Sequence, residues 1–487
     1  MRQALPAMTA ATLLLAGCAV GPNFHTPAPP AADRYTPAPL PDHIDGAGGQ
    51  RFAPGAGVEA QWWRQFGSDK LNALEDRALR ANPDLMAADA ALRQARELYL
   101  AQRAALWPTV GLAANGARFK NPAYLASPLS SNANDYTLFQ GQLNLAYTVD
   151  VFGGLHRQVE SAAAQAENQH YQTDAAYLTL TANVAAAALQ IAGLNAQLQA
   201  ANDAVAADQR TLELTQRQQR LGQATTADVA AAQAALDQAE GAAPPLRKAI
   251  DAQVDLLAVL TGRTTEAAPV VHDLTLAEFR LPPTLPVSLP ADLVRQRPDI
   301  LAAEANLHVA SAGVGIAMAA RLPTFTLNAS AGGASSQLLT LLTNGNSLWS
   351  VGGDVAQTVF DAGALKHRQV AAEAALDQAK DQYRSTVLVA LQSVADVLQA
   401  IVEDGEADRH ADAAAAASAQ SLRLAQQQHK AGETGVLPVL AAQATLAQAN
   451  AALAQTRAAR YADTVALYQA LGGDWQSDPR RQAADAH

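Results

Sequence analysis

Only one cysteine, Cys18, occurs among 487 residues, which rules out an internal disulfide. Aromatic residues make up 5% of the chain, and much of the 49% hydrophobic fraction is alanine, so bulky side chains are too sparse for several thick globular cores. Proline is missing from Pro128 to Pro244 and again from Pro323 to Pro438. Alanine-rich stretches without proline favour long helices packed at close range. A net charge of −11 and a pI near 5.4 come without a basic stripe, which counts against a nucleic-acid partner. Beyond the N-terminus no uninterrupted apolar run approaches the ~18 residues of a membrane-crossing helix, so none is expected. Motifs of catalysis are also missing: there is no HExxH, GxSxG or P-loop pattern. Gly313-Val314-Gly315 lacks a third glycine at dinucleotide-fingerprint spacing and lies in a helical repeat, where it reads as close packing. The ten histidines are scattered. His367, His410 and His429 lie far apart on one long helical segment without metal-ligand spacing, and solvated surface is expected for all ten. No enzyme, metal site or cofactor is expected.

What is present is a duplication. Asn82-Pro83-Asp84-Leu85 matches Arg297-Pro298-Asp299-Ile300, and the register holds to Pro108-Thr109 and Pro323-Thr324. Further on, Val159 answers Val370, Ile191 answers Ile401, and Leu212 answers Leu422. The match continues through Gly222 with Gly432, Ala231-Ala232-Gln233 with Ala441-Ala442-Gln443, and Gly262 with Gly472. The offset changes only from 215 residues at Asn82 to 210 at Gly262. A repeat this long is a structural half, not a short solenoid module.

Arg2, the apolar run Ala7 to Leu15 and the closing Leu15-Ala16-Gly17-Cys18 have the layout of a removable signal. The final tetrapeptide resembles a bacterial lipobox, in which cleavage frees the cysteine for acylation, so Cys18 is the expected lipidation site. Ala19, not aspartate, follows it, which in the enterobacterial sorting pattern means outer membrane. From about Ala19 to Gly57 the chain is rich in Pro, Gly and Ala and reads as extended and irregular. Gln61-Trp62-Trp63-Arg64-Gln65-Phe66 leads into a helix reaching about Arg80, and a second helix runs from Pro83 to Leu106. Arg297-Pro298-Asp299 reads as a structural helix start, with proline early and Asp299 near the positive helix end.

After Pro108 the period changes to that of strands. Phe139, Gly141, Leu143, Leu145, Tyr147 and Val149 alternate with Gln140, Gln142, Asn144, Ala146, Thr148 and Asp150, giving one apolar and one polar face. Val110, Leu112 and Ala114 mark a weaker preceding strand. In the second copy Phe325, Leu327 and Ala329 alternate with Thr324, Thr326, Asn328 and Ser330. A fourth strand sets Trp349, Val351, Val355 and Val359 against Ser350, Asp354 and Thr358. Polar inserts are expected at Lys120 to Asp135 and Gly332 to Asn346.

Val184, Ile191, Leu198, Val205 and Leu212 recur every seventh residue, as do Val229, Leu236, Ala243, Ile250 and Leu257. Two such seams separated by Gly222 describe an antiparallel helical hairpin with glycine in the left-handed position that ends a helix. Val394, Ile401 and Leu422 before Gly432, then Val439, Leu446, Leu453 and Leu467, repeat the plan. From Leu155 to Leu221 an unbroken helix would be roughly 100 Å long. Pro244-Pro245 is expected to break the first return helix.

Four strands, each of about the 9–11 residues that cross a bilayer, cannot close a barrel, since the smallest barrels have roughly eight. An open edge does not persist in lipid, so strands from other copies must close the sheet, and cyclic assembly achieves this.

Cys18-Ala19-Val20-Gly21-Pro22, Trp62-Trp63-Arg64 with Phe66, Ala81-Asn82-Pro83-Asp84-Leu85, Arg295-Gln296-Arg297-Pro298-Asp299-Ile300, Phe360-Asp361-Ala362-Gly363 and Leu471-Gly472-Gly473-Asp474-Trp475 occur in this order. With them the chain resembles a TolC-type outer-membrane efflux protein, in the NodT-type lipoprotein branch, over essentially the whole mature chain. The resemblance implies a mixed α and β membrane protein. Each chain of a homotrimer would give four strands to a 12-stranded β-barrel and two long helical hairpins to a 12-helix periplasmic α-barrel. The domains would be a signal peptide (1–17), a lipid-anchored extended segment (18–60), a first repeat (61–262), a Pro-rich connector (263–290), a second repeat (291–473) and a C-terminal tail (474–487). It further implies a passive outer-membrane duct, taking small toxic molecules from a resistance-nodulation-division pump through a periplasmic adaptor. The adaptor would dock at the tip turns, Arg220-Leu221-Gly222-Gln223 and Lys430-Ala431-Gly432-Glu433. Related ducts often carry an acidic gate residue shortly before the second glycine, whereas this chain has Gln426-Gln427-Gln428. Hydrogen bonds among these amides, or ion pairs involving Arg220, Asp228, Lys430 and Glu433, would be the alternative gate; solvated turns without partners are the plain reading. Two other functions stay open: the duct of a type I protein-secretion system, and a lipid-anchored coiled-coil scaffold without a pore.

Overall fold

The computed structural model describes residues 19–46, 48–122, 124, 133–268, 271–343, 345–473 and 475; Cys18, the signal segment and the residues after Trp475 lie outside them. The same run of elements occurs twice. The first copy comprises α1 (Asp69–Ala81), α2 (Pro83–Ala104), β2 (Thr109–Lys120), β3 (Asp135–Val149), α3 (Gly154–Arg220) and α4 (Thr226–Leu260). The second comprises α5 (Pro290–Gln296), α6 (Pro298–Ala319), β5 (Thr324–Ser335), β6 (Ser347–Ala356), α7 (Ala364–Lys430) and α8 (Leu437–Ala470). By packing, the chain forms two compact units that cut across this duplication. One is built from the described residues of Met1–Pro27, Leu92–Gln169 and Ala303–Tyr383, the other from those of Ala28–Ala91, His170–Ala302 and Arg384–His487.

Local chemistry sets the boundaries. Ser68 accepts a hydrogen bond from the Leu71 amide at 3.3 Å to start α1, and α1 and α2 meet at Asn82-Pro83, where proline bars helical geometry in the residue before it. Both strand-to-helix junctions are capped by an aspartate. Asp150 accepts from the amides of Leu155 and His156, and its counterpart Asp361 accepts from those of Gly363 and Leu365. α3 and α7 each run 67 residues without interruption. The heptad seam is fully buried at Val184, Ile191, Leu257, Val394, Ile401 and Leu467, each 0% exposed, and half-buried at Leu198, Val205, Val229, Leu422, Leu446 and Leu453.

The first unit contains a four-stranded antiparallel sheet of order β2-β3-β5-β6. β5 reaches Ser335, further than the alternation indicated, because Gly332 and Gly333 pair with Leu348 and Ser347; the small residues of Ala331–Ala334 offer no hydropathy contrast. β6 stops at Ala356, short of Thr358 and Val359.

In the second unit, the segment expected to be irregular holds β1 (Arg51–Pro54), which pairs in parallel with β4 (Thr284–Val287) from the expected connector. Strands of four residues, both carrying proline, are too short to show a period. The core of this unit gathers the aromatic signature residues. Trp62, in a 3-10 turn spanning Trp62–Phe66, stacks on Tyr468 at 4.9 Å, while Trp63, Phe66, Tyr461 and Trp475 join the same cluster.

Two expectations are corrected. α4 continues through Pro244 and Pro245, because both prolines and the residues Glu240 and Gly241, whose carbonyls lose their donors, are exposed to water. By length and composition, α3, α6 and α7 contain 18-residue windows of mean hydropathy 1.4, 1.3 and 1.6 with at most two charged residues. The exclusion of a membrane-crossing helix from run length therefore does not hold by this measure; alanine raises mean hydropathy without forming a bulky run.

Candidate functional site

Residues opposite one another in a ladder share a face, so the sheet register tests the alternation. Val110 pairs with Leu145, Leu145 with Ala329 and Ala329 with Val351; one step along, Leu112, Leu143, Ala331 and Trp349 form the next row. The other face carries Asn144, Ser330 and Ser350 in one row and Thr148, Thr326 and Asp354 in another. Phe139, Leu143, Leu145 and Tyr147 thus stand on one face and Gln140, Gln142 and Asn144 on the other. Polar side chains bond across strands, Ser330 to Ser350 at 2.9 Å and Asn328 Nδ2 to Asp354 Oδ2 at 2.5 Å. The apolar rows are uncovered: Leu112, Trp349 and Val351 are 79%, 77% and 76% exposed. β2 and β6 are edge strands within the chain.

The N-terminal segment is pinned in the same unit. Val20 donates its amide to the Phe152 carbonyl at 3.1 Å. Arg157 donates to the carbonyls of Val20 and Gly21 and to Asn23 Oδ1. Gly21 lies so near Gly315 that a Cβ on Gly21 would come within 2.4 Å of its Cα, and a Cβ on Gly315 would meet the Arg157 side chain at 2.9 Å, which explains the second glycine of Gly313-Val314-Gly315. Phe24 stacks on His308 at 4.3 Å, and His308 Nε2 lies 2.9 Å from Glu160 Oε1. His308 is therefore half-buried and partnered, unlike the solvated histidine expected from scatter alone. Among the described residues no cluster of His, Cys, Asp or Glu suits a metal.

The helical hairpin turns belong to the second unit. Gly222 and Gly432 take φ of +72° and +78°. In each turn the glycine and the next residue donate back to the ending helix: Gly222 to Gln219 and Gln223 to Gln218, Gly432 to His429 and Glu433 to Gln428. This is the Schellman closure. Arg220, Leu221, Gln223, Lys430, Ala431 and Glu433 lie on the two turns. Asp228 has a structural role in place of the expected gate: it forms a capping box with Thr225 at the start of α4, and the Thr225 amide and hydroxyl hold its carboxyl below the usual range. Among the described residues no ion pair joins Arg220, Asp228, Lys430 and Glu433, and no side-chain hydrogen bond links Gln426, Gln427 and Gln428 to one another. The contact between the two copies comes from Gln218, which the sequence did not single out, and from His429, which is half-buried and partnered where solvated surface was expected. Gln218 Nε2 lies 3.4 Å from His429 Nε2, and His429 Nδ1 lies 3.0 Å from the Thr434 carbonyl. These distances fit an imidazole with its proton on Nδ1. Beside it Thr211 and Gln443 exchange hydrogen bonds of 3.2 and 3.0 Å while buried. A polar residue four positions after seam residue Val439 was the available signal.

A second polar network joins α7 to α8. Arg460, 1% exposed, faces Asp408 at 3.8 Å, and its Nε donates to Gln50 Oε1 at 2.8 Å. Gly405 admits the chain at Ile44–Asp45, since a Cβ there would sit 2.6 Å from Ile44 Cγ2. Nearby, burial first and then the adjoining Asp463 carboxyl push Asp404 up to about 7, with Arg460 acting in the opposite sense. A carboxyl raised on folding contributes stability that is fully present below its unfolded value near 4 and is lost as pH rises through about 7. The melting temperature is accordingly expected to fall between pH 5 and 8, by the equivalent of roughly 1 kcal/mol for a partly solvated pair. Asp463→Asn should flatten that slope. An unchanged slope in the variant would remove the pair as its cause.

The outer membrane efflux protein family model matches residues 74–263 and 289–473. The pyoverdine export outer membrane protein OpmQ of Pseudomonas aeruginosa is 30% identical over 91% of this chain and 94% of its own. The toluene efflux pump outer membrane protein TtgC of Pseudomonas putida is 29% identical over 98% and 96%. Among solved structures, the outer-membrane channel OprN superposes with a TM-score of 0.84 at 28% identity, covering 94% of this chain and 100% of that one. The duplicated strands and helical hairpins, the two-faced sheet and these matches agree: the chain belongs to the outer membrane efflux protein family.

Proposed function

We propose that this protein is the passive outer-membrane duct of a tripartite efflux system. It would assemble as a homotrimer whose 12 strands close a barrel and whose helical hairpins continue it as a 12-helix periplasmic tunnel. The carrying observation is the open sheet with one continuous apolar face, one polar face and two unpaired edges, an arrangement that lipid accepts only when closed. The uncovered apolar residues of α7, Val370, Leu388 and Val389 among them, are surface that neighbouring copies would bury. Small toxic molecules are the cargo class, the relatives OpmQ and TtgC being named for pyoverdine and toluene. A resistance-nodulation-division pump would supply the energy and an adaptor would dock at the Gly222 and Gly432 turns. Acylated Cys18 would anchor the chain at the membrane boundary; Ala19 lies against Gly153 at the junction of β3 and α3, which supports that position.

Ring closure places β6 of one copy beside β2 of the next. Cysteines at Leu112 and Val351 in one chain are expected to give covalent dimers and trimers on oxidation. Single cysteines at Gln140, Gln142 or Asn144 should react with an impermeant thiol reagent, while those at Phe139, Leu143, Leu145 or Tyr147 stay protected by lipid. Purified protein should conduct ions across planar bilayers. Monomers alone, equal labelling of both sets and no conductance would together favour the scaffold reading.

The tip assignment has its own test. Gly222→Val and Gly432→Val place a branched side chain at positive φ, a strained arrangement, and are expected to lower capture of the periplasmic adaptor at least tenfold while trimers still form. Undiminished capture would move the docking site elsewhere.

A further inference from the structure

We propose that the groove between α3, α4 and α8 binds a small organic cation with an apolar body, held through the carboxylate of Asp208. The groove encloses about 280 Å³, near the lower end of the roughly 300–1,000 Å³ typical of ligand sites. This size suits one ring or a short branched chain. Eight alanines together with Leu246 and Leu440 line it, and Gln197, Gln238 and Gln448 contribute its amides. Asp208 also lines it and is 8% exposed. Among the described residues no Lys, Arg or His pairs with Asp208 and it makes no hydrogen bond. Burial alone raises its carboxyl, and no charged neighbour contributes.

A carboxylate largely withdrawn from water without a charged partner is less favourable than one in bulk solvent. Packing does not require it, because seam residues Val205 and Leu212 already hold α3 in the Leu236 and Leu440 cluster. Nor does an internal lysine or arginine reach the groove to neutralise it. A cation entering the groove supplies the missing charge, and its hydrocarbon covers alanine and leucine that are otherwise in contact with water. A groove lined otherwise by alanine, leucine and side-chain amides tolerates a cation that cannot itself donate hydrogen bonds, such as a quaternary ammonium. The cation–carboxylate pair inside a weakly hydrated groove is stronger than the same pair in bulk water.

This site is independent of pore formation, so its failure and the failure of the duct reading are separable. The test is calorimetric titration of the detergent-solubilised full chain with benzyltrimethylammonium, and with neopentylbenzene as its uncharged analogue. Saturable binding of the cation is expected. Affinity should fall at least tenfold in Asp208→Asn, which keeps the shape and removes the charge, and binding should be lost in Ala444→Trp, which fills the groove. Neopentylbenzene should bind at least tenfold more weakly than the cation, and equally in wild type and Asp208→Asn. Binding of the cation by Asp208→Asn within twofold of wild type, equal affinity for the two probes, or no saturable binding by wild type would each overturn the proposal.

Discussion

Gly262→Ala and Gly472→Ala are each expected to destabilise the protein by about 3 kcal/mol, the sum of a left-handed alanine and a forced backbone overlap. Both glycines have positive φ, +68° and +95°. A Cβ at Gly262 would lie 2.1 Å from the Ala81 carbonyl oxygen, and one at Gly472 would lie 2.5 Å from that of Gln296. Ala81 and Gln296 correspond in the duplication, as do the two glycines. Next to them Asn82 Nδ2 donates to the Leu260 carbonyl at 3.0 Å and Arg297 Nη1 to the Ala470 carbonyl at 2.9 Å. In each copy, therefore, the end of the return helix closes onto the end of the first helix, and the residue before proline supplies the hydrogen bond. Gly49→Ala is the control: it has φ of +56° and open space around it, and should cost only about 1 kcal/mol. Denaturant or thermal melts of the three variants measure the difference; equal losses in all three would show that the carbonyls give way.

Arg460→Ala should cost about 3–5 kcal/mol, because it takes away the buried guanidinium that faces Asp408 and leaves that buried carboxylate to the half-exposed Arg457. The loss extends to Gln50, which is 0% exposed; its Oε1 accepts from Arg460 while its Nε2 donates to the Pro282 carbonyl. The double variant Asp408→Asn with Arg460→Met should recover most of the stability, since it removes both charges and keeps the volume. A single variant with a loss below about 1 kcal/mol would mean that Arg457, which also reaches Asp408 at 3.4 Å, compensates.

The long elements were legible because their periods persist over many residues: the seams through Val184 and Val394 and the alternation through Leu143 extend over several turns or pleats. The duplication gave a second reading of each. Legibility failed where the signal was short or depended on contacts distant in sequence. The Arg51–Pro54 strand finds its partner more than 200 residues away, and nothing local marks Gln50 as buried beside Arg460. At the tip, the glycines were visible as punctuation, whereas His429 and Gln218 acquire meaning only once two distant turns are neighbours. Asp228 was read for its charge when its spacing from Thr225 was the better guide, since a threonine three residues before an acid at a helix start forms a cap. Asp208 had no signal at all, because an acid among alanines on a long helix reads as solvated surface.

The two prolines inside α4 carry a mechanical consequence. They remove two backbone donors from one return helix, while the matching Ala454-Gln455 of α8 keep theirs. Under load the first hairpin is expected to yield at that level before the second does. In a ring of three copies compliant and rigid columns would alternate around the wall, so that any widening would proceed by bending every other column about a fixed height, with the remainder acting as struts.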